Sequence, residues 1–197
     1  MKPTTIRLLL SIAGSRGWQM RQPDIQHAFL NGVLEEEVFM RQPPGFEDPT
    51  RPSHICHLKK AIYGLKQAPR AWHAHLSSVL GSLGFRASTA DTSLFIFSRA
   101  DLTMYLLVYV DDIIVVSSSP SATDRLIRQM GEAFAVKDLG RLHYFLGVEV
   151  HHQPCCLILT QKKYAMDLLQ RAGMLKCTPV STPMTVVDKL SAHEGIL

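Results

Sequence analysis

The chain has 197 residues, 46% hydrophobic and 19% charged, a profile that supports a packed core and excludes a chain disordered throughout. Lys and Arg number 21 against 17 Asp and Glu, and the resulting net charge of +4 permits a nucleic-acid partner without requiring one. Cys56, Cys155, Cys156 and Cys177 form no C-x-x-C pair, which argues against a zinc ribbon or a secreted disulfide framework and for a reducing compartment.

In chain order, Ile6, Leu9, Leu10 and Ala13 recur at helical spacing between Thr4 and Arg16, with Gly14 and Gly17 placed to end the helix. The same stretch superficially resembles a signal peptide, but Pro3 and Arg7 crowd its short apolar run and no A-x-A site follows. WQMRQPDIQHAF is a candidate strand in which Pro23 removes a backbone donor and Asp24 sits near the end. A short strand is expected at Val38 to Met40, then a Pro- and Gly-rich loop, then a strand in HICHLKKAI. From Pro69, Ala71, Trp72, His75, Leu76, Val79, Leu80 and Leu83 mark a helix that Gly84 stops. SLFIFS, TMYLLVYV and IIVVSSS read as strands, the last two a hairpin around Asp111 and Asp112. A helix follows from Ser121, with Ser121 and Asp124 arranged as a capping box and Leu126, Ile127, Met130 and Phe134 as its apolar stripe. HYFLGVEV and CCLILT are expected as two strands around Gln153-Pro154, and KKYAMDLLQRAGM as a third helix. The two acids also break the most apolar segment, so no membrane span is expected.

This order predicts an α+β fold of split βαβ type, an antiparallel sheet with two helices on one face. Residues alternate along a strand, so Tyr105, Leu107 and Tyr109 lie on one side and Leu106, Val108 and Val110 on the other. Both sets are apolar, and the hairpin should be covered on both faces with its acids projecting at the turn. Carboxylates on rigid backbone suit hard cations such as Mg²⁺ or Mn²⁺, and Asp24 is the natural third acid if its strand lies beside the hairpin. Three such acids can hold two ions about 3.5 to 4 Å apart, the arrangement that activates a hydroxyl and stabilises a pyrophosphate leaving group. The competing reading is that Asp-Asp simply favours a turn.

QPDIQHAFLNGVLEEEVFMRQPPGF, LKKAIYGLKQAPRAW, DTSLFIF, YLLVYVDDIIV and KDLGRLHYFLGVEV, in this order and spacing, closely resemble the reverse transcriptase of copia-type LTR retrotransposons, over about Lys2 to Met184. The resemblance implies an RNA-directed DNA polymerase that extends a primer on an RNA or DNA template with dNTPs, using two Mg²⁺ or Mn²⁺ ions. It implies a palm with partial fingers over 1–152 and a partial thumb over 153–184, while the end of the chain, 185–197, is expected from its composition to be a disordered tail. Asp24 and Asp111 correspond to the metal-binding acids and Asp112 to their less direct partner. Phe29 matches the bulky residue that excludes a ribose 2′-hydroxyl, and Gln67 the glutamine against the incoming nucleotide. Phe145, Leu146 and Gly147 resemble the primer grip. Phosphate contacts would come from Lys59, Lys60, Lys66 and Arg70.

Each residue has a plainer alternative: Phe29 as a core side chain, Gln67 as a solvated helix start, and the basic cluster as a solvated face. Glu35, Glu36 and Glu37 are expected to decorate an exposed segment, and His151, His152, Cys155 and Cys156 fit no standard zinc spacing. Against the family's pattern, the upstream basic strand of the fingers is absent and Pro23 stands where a leucine-like residue is usual. RNase H, integrase and protease segments are not expected within these 197 residues. These departures define the second expectation, a catalytically inactive remnant that at most binds nucleic acid. The family's setting is cytoplasmic and particle-associated, with nuclear presence compatible.

Overall fold

The computed structural model describes residues 1–153 and 156–179, which form four α-helices and three antiparallel sheets. Helix α1 (Pro3–Arg16) starts on a proline whose missing amide costs nothing there, buries Ile6, Leu9, Leu10 and Ala13, and ends at Gly17 with φ of 63°. Asp91 ties down its start, accepting the Lys2 amide at 2.8 Å and the Thr5 hydroxyl at 2.7 Å.

Strand β1 (Gln19–Ile25) leads through a 3₁₀ turn, Ala28–Asn31, to a ribbon of β2 (Val33–Arg41) and β3 (Ile55–Lys60). The second strand is longer than the expected Val38 to Met40 because a bulge between Val33 and Val38 carries the three exposed glutamates within it. Helix α2 (Ala68–Ser82) precedes β4 (Arg86–Ala87), β5 (Leu94–Arg99), β6 (Leu102–Tyr109) and β7 (Asp112–Ser117). Helix α3 (Pro120–Ala133) is followed by β8 (Val136–Arg141), then β9 (Tyr144–Phe145), β10 (Val148–His152), β11 (Leu157–Thr160) and α4 (Lys162–Arg171).

The main sheet runs β4-β5-β6-β7-β1-β8. One face, with Leu106, Val108, Ile113 and Val115, packs against Trp72, Leu76 and Leu80 of α2 and Leu126 and Met130 of α3. The other, with Leu107, Ile114 and Val116, packs against α1 and against Phe145 and Val150 of the β11-β10-β9 sheet. Alternation along β6 and β7 thus feeds two cores, as the doubly apolar pattern requires.

One element is added and two local expectations are corrected. The sequence VKDLGR, to which no element is assigned from the sequence, forms edge strand β8, where strand propensity matters less than the pairing of Asp138 with Arg21 of β1. HYFLGVEV is two strands, because Leu146 and Gly147 take φ of 47° and 85° and make a two-residue hairpin turn. The capping box at Ser121 does not form: Ser119 is the N-cap, Pro120 occupies the first turn, and Asp124 instead pairs with Arg21 at 3.2 Å. Among the described residues no helix is long and apolar enough to cross a membrane. The expected tail at 185–197, like Pro154 and Cys155, lies outside the described residues.

Candidate active site

Strand β1 lies between β7 and β8, so Asp24 stands opposite Asp112 on one side and Lys137 on the other. A proline in an interior strand is unusual, since it offers no amide to the ladder. Here Pro23 sits at a register shift between Arg21 and Pro23 in the pairing with β8, and the bulge brings Asp24 back into register.

The hairpin turn is one residue earlier than its two acids imply. Tyr109 pairs with Asp112, so Val110 and Asp111 form the turn and Asp112 already belongs to β7. Val110 adopts φ of 58°, a conformation that costs a β-branched residue roughly 1–3 kcal/mol. Two bonds hold the turn: the Trp72 indole donates to the Val110 carbonyl at 2.7 Å, and the Ile25 amide donates to the Asp111 carbonyl at 3.0 Å.

The carboxylates repel one another. Burial, then the charge of Asp111, raises the Asp24 pKa, against the opposing pull of Lys137. Burial, Asp111 and Asp24 raise that of Asp112, while a hydrogen bond from Gln22 lowers it. Oxygen donors under mutual repulsion are chemically suited to a hard divalent cation, which relieves the penalty. Among the described residues no group of three His, Cys, Asp or Glu side chains stands arranged to hold a metal ion, Asp24, Asp111 and Asp112 included.

Phe29 projects from the 3₁₀ turn, its ring 4.9 Å from that of Tyr63, and lines a cavity of about 180 Å³ together with Trp72, Tyr109 and Val110. The structure therefore brings Phe29 to the acid-bearing turn. Gln67 is the N-cap residue of α2 and lines a different cavity, of about 250 Å³, with Arg70, Glu35 and Glu36. Lys59, Lys60, Lys66 and Arg70 are all exposed, spread over β3, the following loop and the first turn of α2. Phe145 is buried in the α1-side core, leaving Leu146 and Gly147 at the hairpin tip for any contact with a strand end.

Sequence reasoning missed the parts played by Lys137, Gln22 and the Trp72 indole. Lys137 was hidden because β8 was not expected, and Gln22 because strand spacing does not reveal the bulge. Trp72 did carry a signal: a tryptophan in a buried stripe needs an acceptor for its N–H.

Residues 1–186 match the family model for reverse transcriptase (RNA-dependent DNA polymerase). The chain is 46% identical over 99% of its length to the retrovirus-related Pol polyprotein from transposon RE1 of Arabidopsis thaliana, and 47% identical over 99% to that from transposon RE2 of the same plant. Over 97% of its length it is 37% identical to the Pol polyprotein from transposon TNT 1-94 of Nicotiana tabacum. It spans 13%, 13% and 15% of those three polyproteins.

Proposed function

The chain belongs to the reverse transcriptase (RNA-dependent DNA polymerase) family, and from that premise we propose that it is the nucleotidyl-transfer module of a copia-type retrotransposon polyprotein. The observation that carries this is Asp24 held opposite Asp112 on adjacent strands, with Asp111 on the adjoining turn. The main sheet with α2 and α3 on one face supports a palm of split βαβ type, the β2–β3 ribbon partial fingers, and β11 with α4 a partial thumb.

In this reading a primer 3′-hydroxyl attacks the α-phosphate of a dNTP, forming the new P–O bond as the bond to the β-phosphate breaks and pyrophosphate leaves. Asp24, Asp111 and Asp112 would hold the divalent ions. When bound there, Mg²⁺ or Mn²⁺ supplies the positive charge that lowers the hydroxyl's pKa and neutralises the leaving group. Phe29 narrows the sugar site beside the turn, so that a 2′-hydroxyl meets the ring. Gln67 faces the nucleotide from the start of α2, the tip at Leu146 and Gly147 supports the primer end, and Lys59, Lys60, Lys66 and Arg70 bind template and primer phosphates.

The test is primer extension on poly(rA)/oligo(dT) with Mg²⁺ or Mn²⁺, comparing the chain with Asp111→Asn. Extension that disappears in the variant is expected; extension that survives would overturn the assignment. A chain that never extends, yet binds nucleic acid in a salt-dependent and dNTP-independent way, is an inactive remnant.

A further inference from the structure

We propose that Trp72 is a positioning residue that sets the direction of the Asp111 carboxylate by clamping the strained turn on which it sits. This rests on reading the three aspartates as the catalytic acids. Asp111 lies between two bonded carbonyls. The one before it, on Val110, accepts the Trp72 indole N–H at 2.7 Å, and its own accepts the Ile25 amide at 3.0 Å. Pinning both peptide planes that flank one Cα fixes the dihedrals between them, and with them the Cα–Cβ direction of the aspartate.

The turn requires such a hold, because Val110 sits at φ of 58°, where a β-branched residue does not stay unaided. The clamp is itself immobile. Trp72 is 2% exposed and its ring meets Phe134 edge-on at 5.1 Å. Its backbone nitrogen lies where a Cβ on Gly32 would come within 2.9 Å, so the end of the Phe29 turn rests directly on α2. One helical turn on, His75 Nδ1 donates to the Asn31 carbonyl at 2.6 Å. A single helix face thus ties the sugar-site loop and the Asp111 turn together. Packing alone would explain a buried tryptophan; it does not require an indole N–H aimed at the carbonyl next to an active-site acid.

The experiment compares the full chain with Trp72→Phe, which keeps an aromatic ring and removes the donor. Amide hydrogen exchange is followed at Ile25, whose acceptor is Asp111, and at Gln26, whose acceptor is Ala135. About a tenfold faster exchange at Ile25 with Gln26 unchanged is expected, since local opening precedes global unfolding. An unchanged Ile25, or equal acceleration of both amides, overturns the clamp. Primer extension should show kcat lowered about tenfold with the dNTP KM within about twofold, as for a displaced reacting group, and a change confined to KM overturns it. If Trp72→Phe does not fold, the wild-type indoles decide. A Trp72 N–H at least about a hundredfold slower to exchange than that of Trp18 supports the clamp, and equal rates overturn it. Loss of the catalytic reading would appear separately, as extension surviving Asp111→Asn, while the exchange at Ile25 reports on the clamp regardless.

Discussion

Asp91 offers the most quantitative test of how this fold is held. Only 7% exposed in the loop before β5, it accepts the Lys2 amide, the Thr5 hydroxyl and the Ser93 amide, with the Met1 ammonium 3.7 Å away. Burial on its own raises the carboxyl pKa, but those donors outweigh it and hold the group down to about 2, against 3.8 in the free chain. At 1.36 kcal/mol per pH unit, the difference between 3.8 and about 2 is worth about 2 kcal/mol of stability. The sign follows from the depressed value: the contribution is complete above about pH 4 and fades as pH falls toward 2. Asp91→Asn should therefore lower stability by about 2 kcal/mol at pH 7, which for a chain of this size is roughly 4–8 °C in Tm. The assay is urea unfolding of both proteins at intervals from pH 7 to pH 2. The two curves should converge as pH approaches 2, and a constant gap across that range would refute the account.

Asp112 behaves in the opposite sense. Its raised pKa means that the ionised form strains the fold as pH rises past the ordinary carboxylate range, so Asp112→Asn should gain stability at pH 7 and lose that gain in acid, while abolishing primer extension; thermal melts at pH 3 and pH 7 check it. Gly32→Ala places a methyl 2.9 Å from the Trp72 nitrogen and 3.1 Å from the Ala71 carbonyl carbon, and such overpacking against backbone should cost about 1–3 kcal/mol and reduce extension further, as melts and single-turnover rates would register. Phe29→Ala opens the cavity beside Val110, so the dNTP preference over rNTP should fall by about tenfold or more in competitive incorporation.

Much of the fold follows from patterns that packing enforces. The stripe from Trp72 to Leu80 and the two apolar faces of β6 and β7 could only be buried where they are, and Asp24 arrives beside the hairpin because the intervening helix allows it. Less legible were the features set by tertiary contact. Strand β8 is Lys-, Asp- and Gly-containing and exists because β1 offers it a partner edge and Arg21 an ion pair. The turn at Val110 is displaced from the expected position because Asp112 pairs with Asp24, which the sequence around either residue does not disclose. The Ser121 box failed because α3 is capped two residues earlier, at Ser119, which leaves Asp124 to pair with Arg21 of β1.

Pro23 has a consequence for how β1 tolerates change. Side chains on a strand alternate, so a slip of one residue would turn Asp24 away from Asp112 and reverse every neighbour. A proline at the bulge cannot take up the amide role that a slipped ladder would demand, which makes the alternative alignment more costly than for any other residue. The strand is therefore intolerant of a gained or lost residue before Asp24, and the proline acts as a frame marker for the acid that follows it.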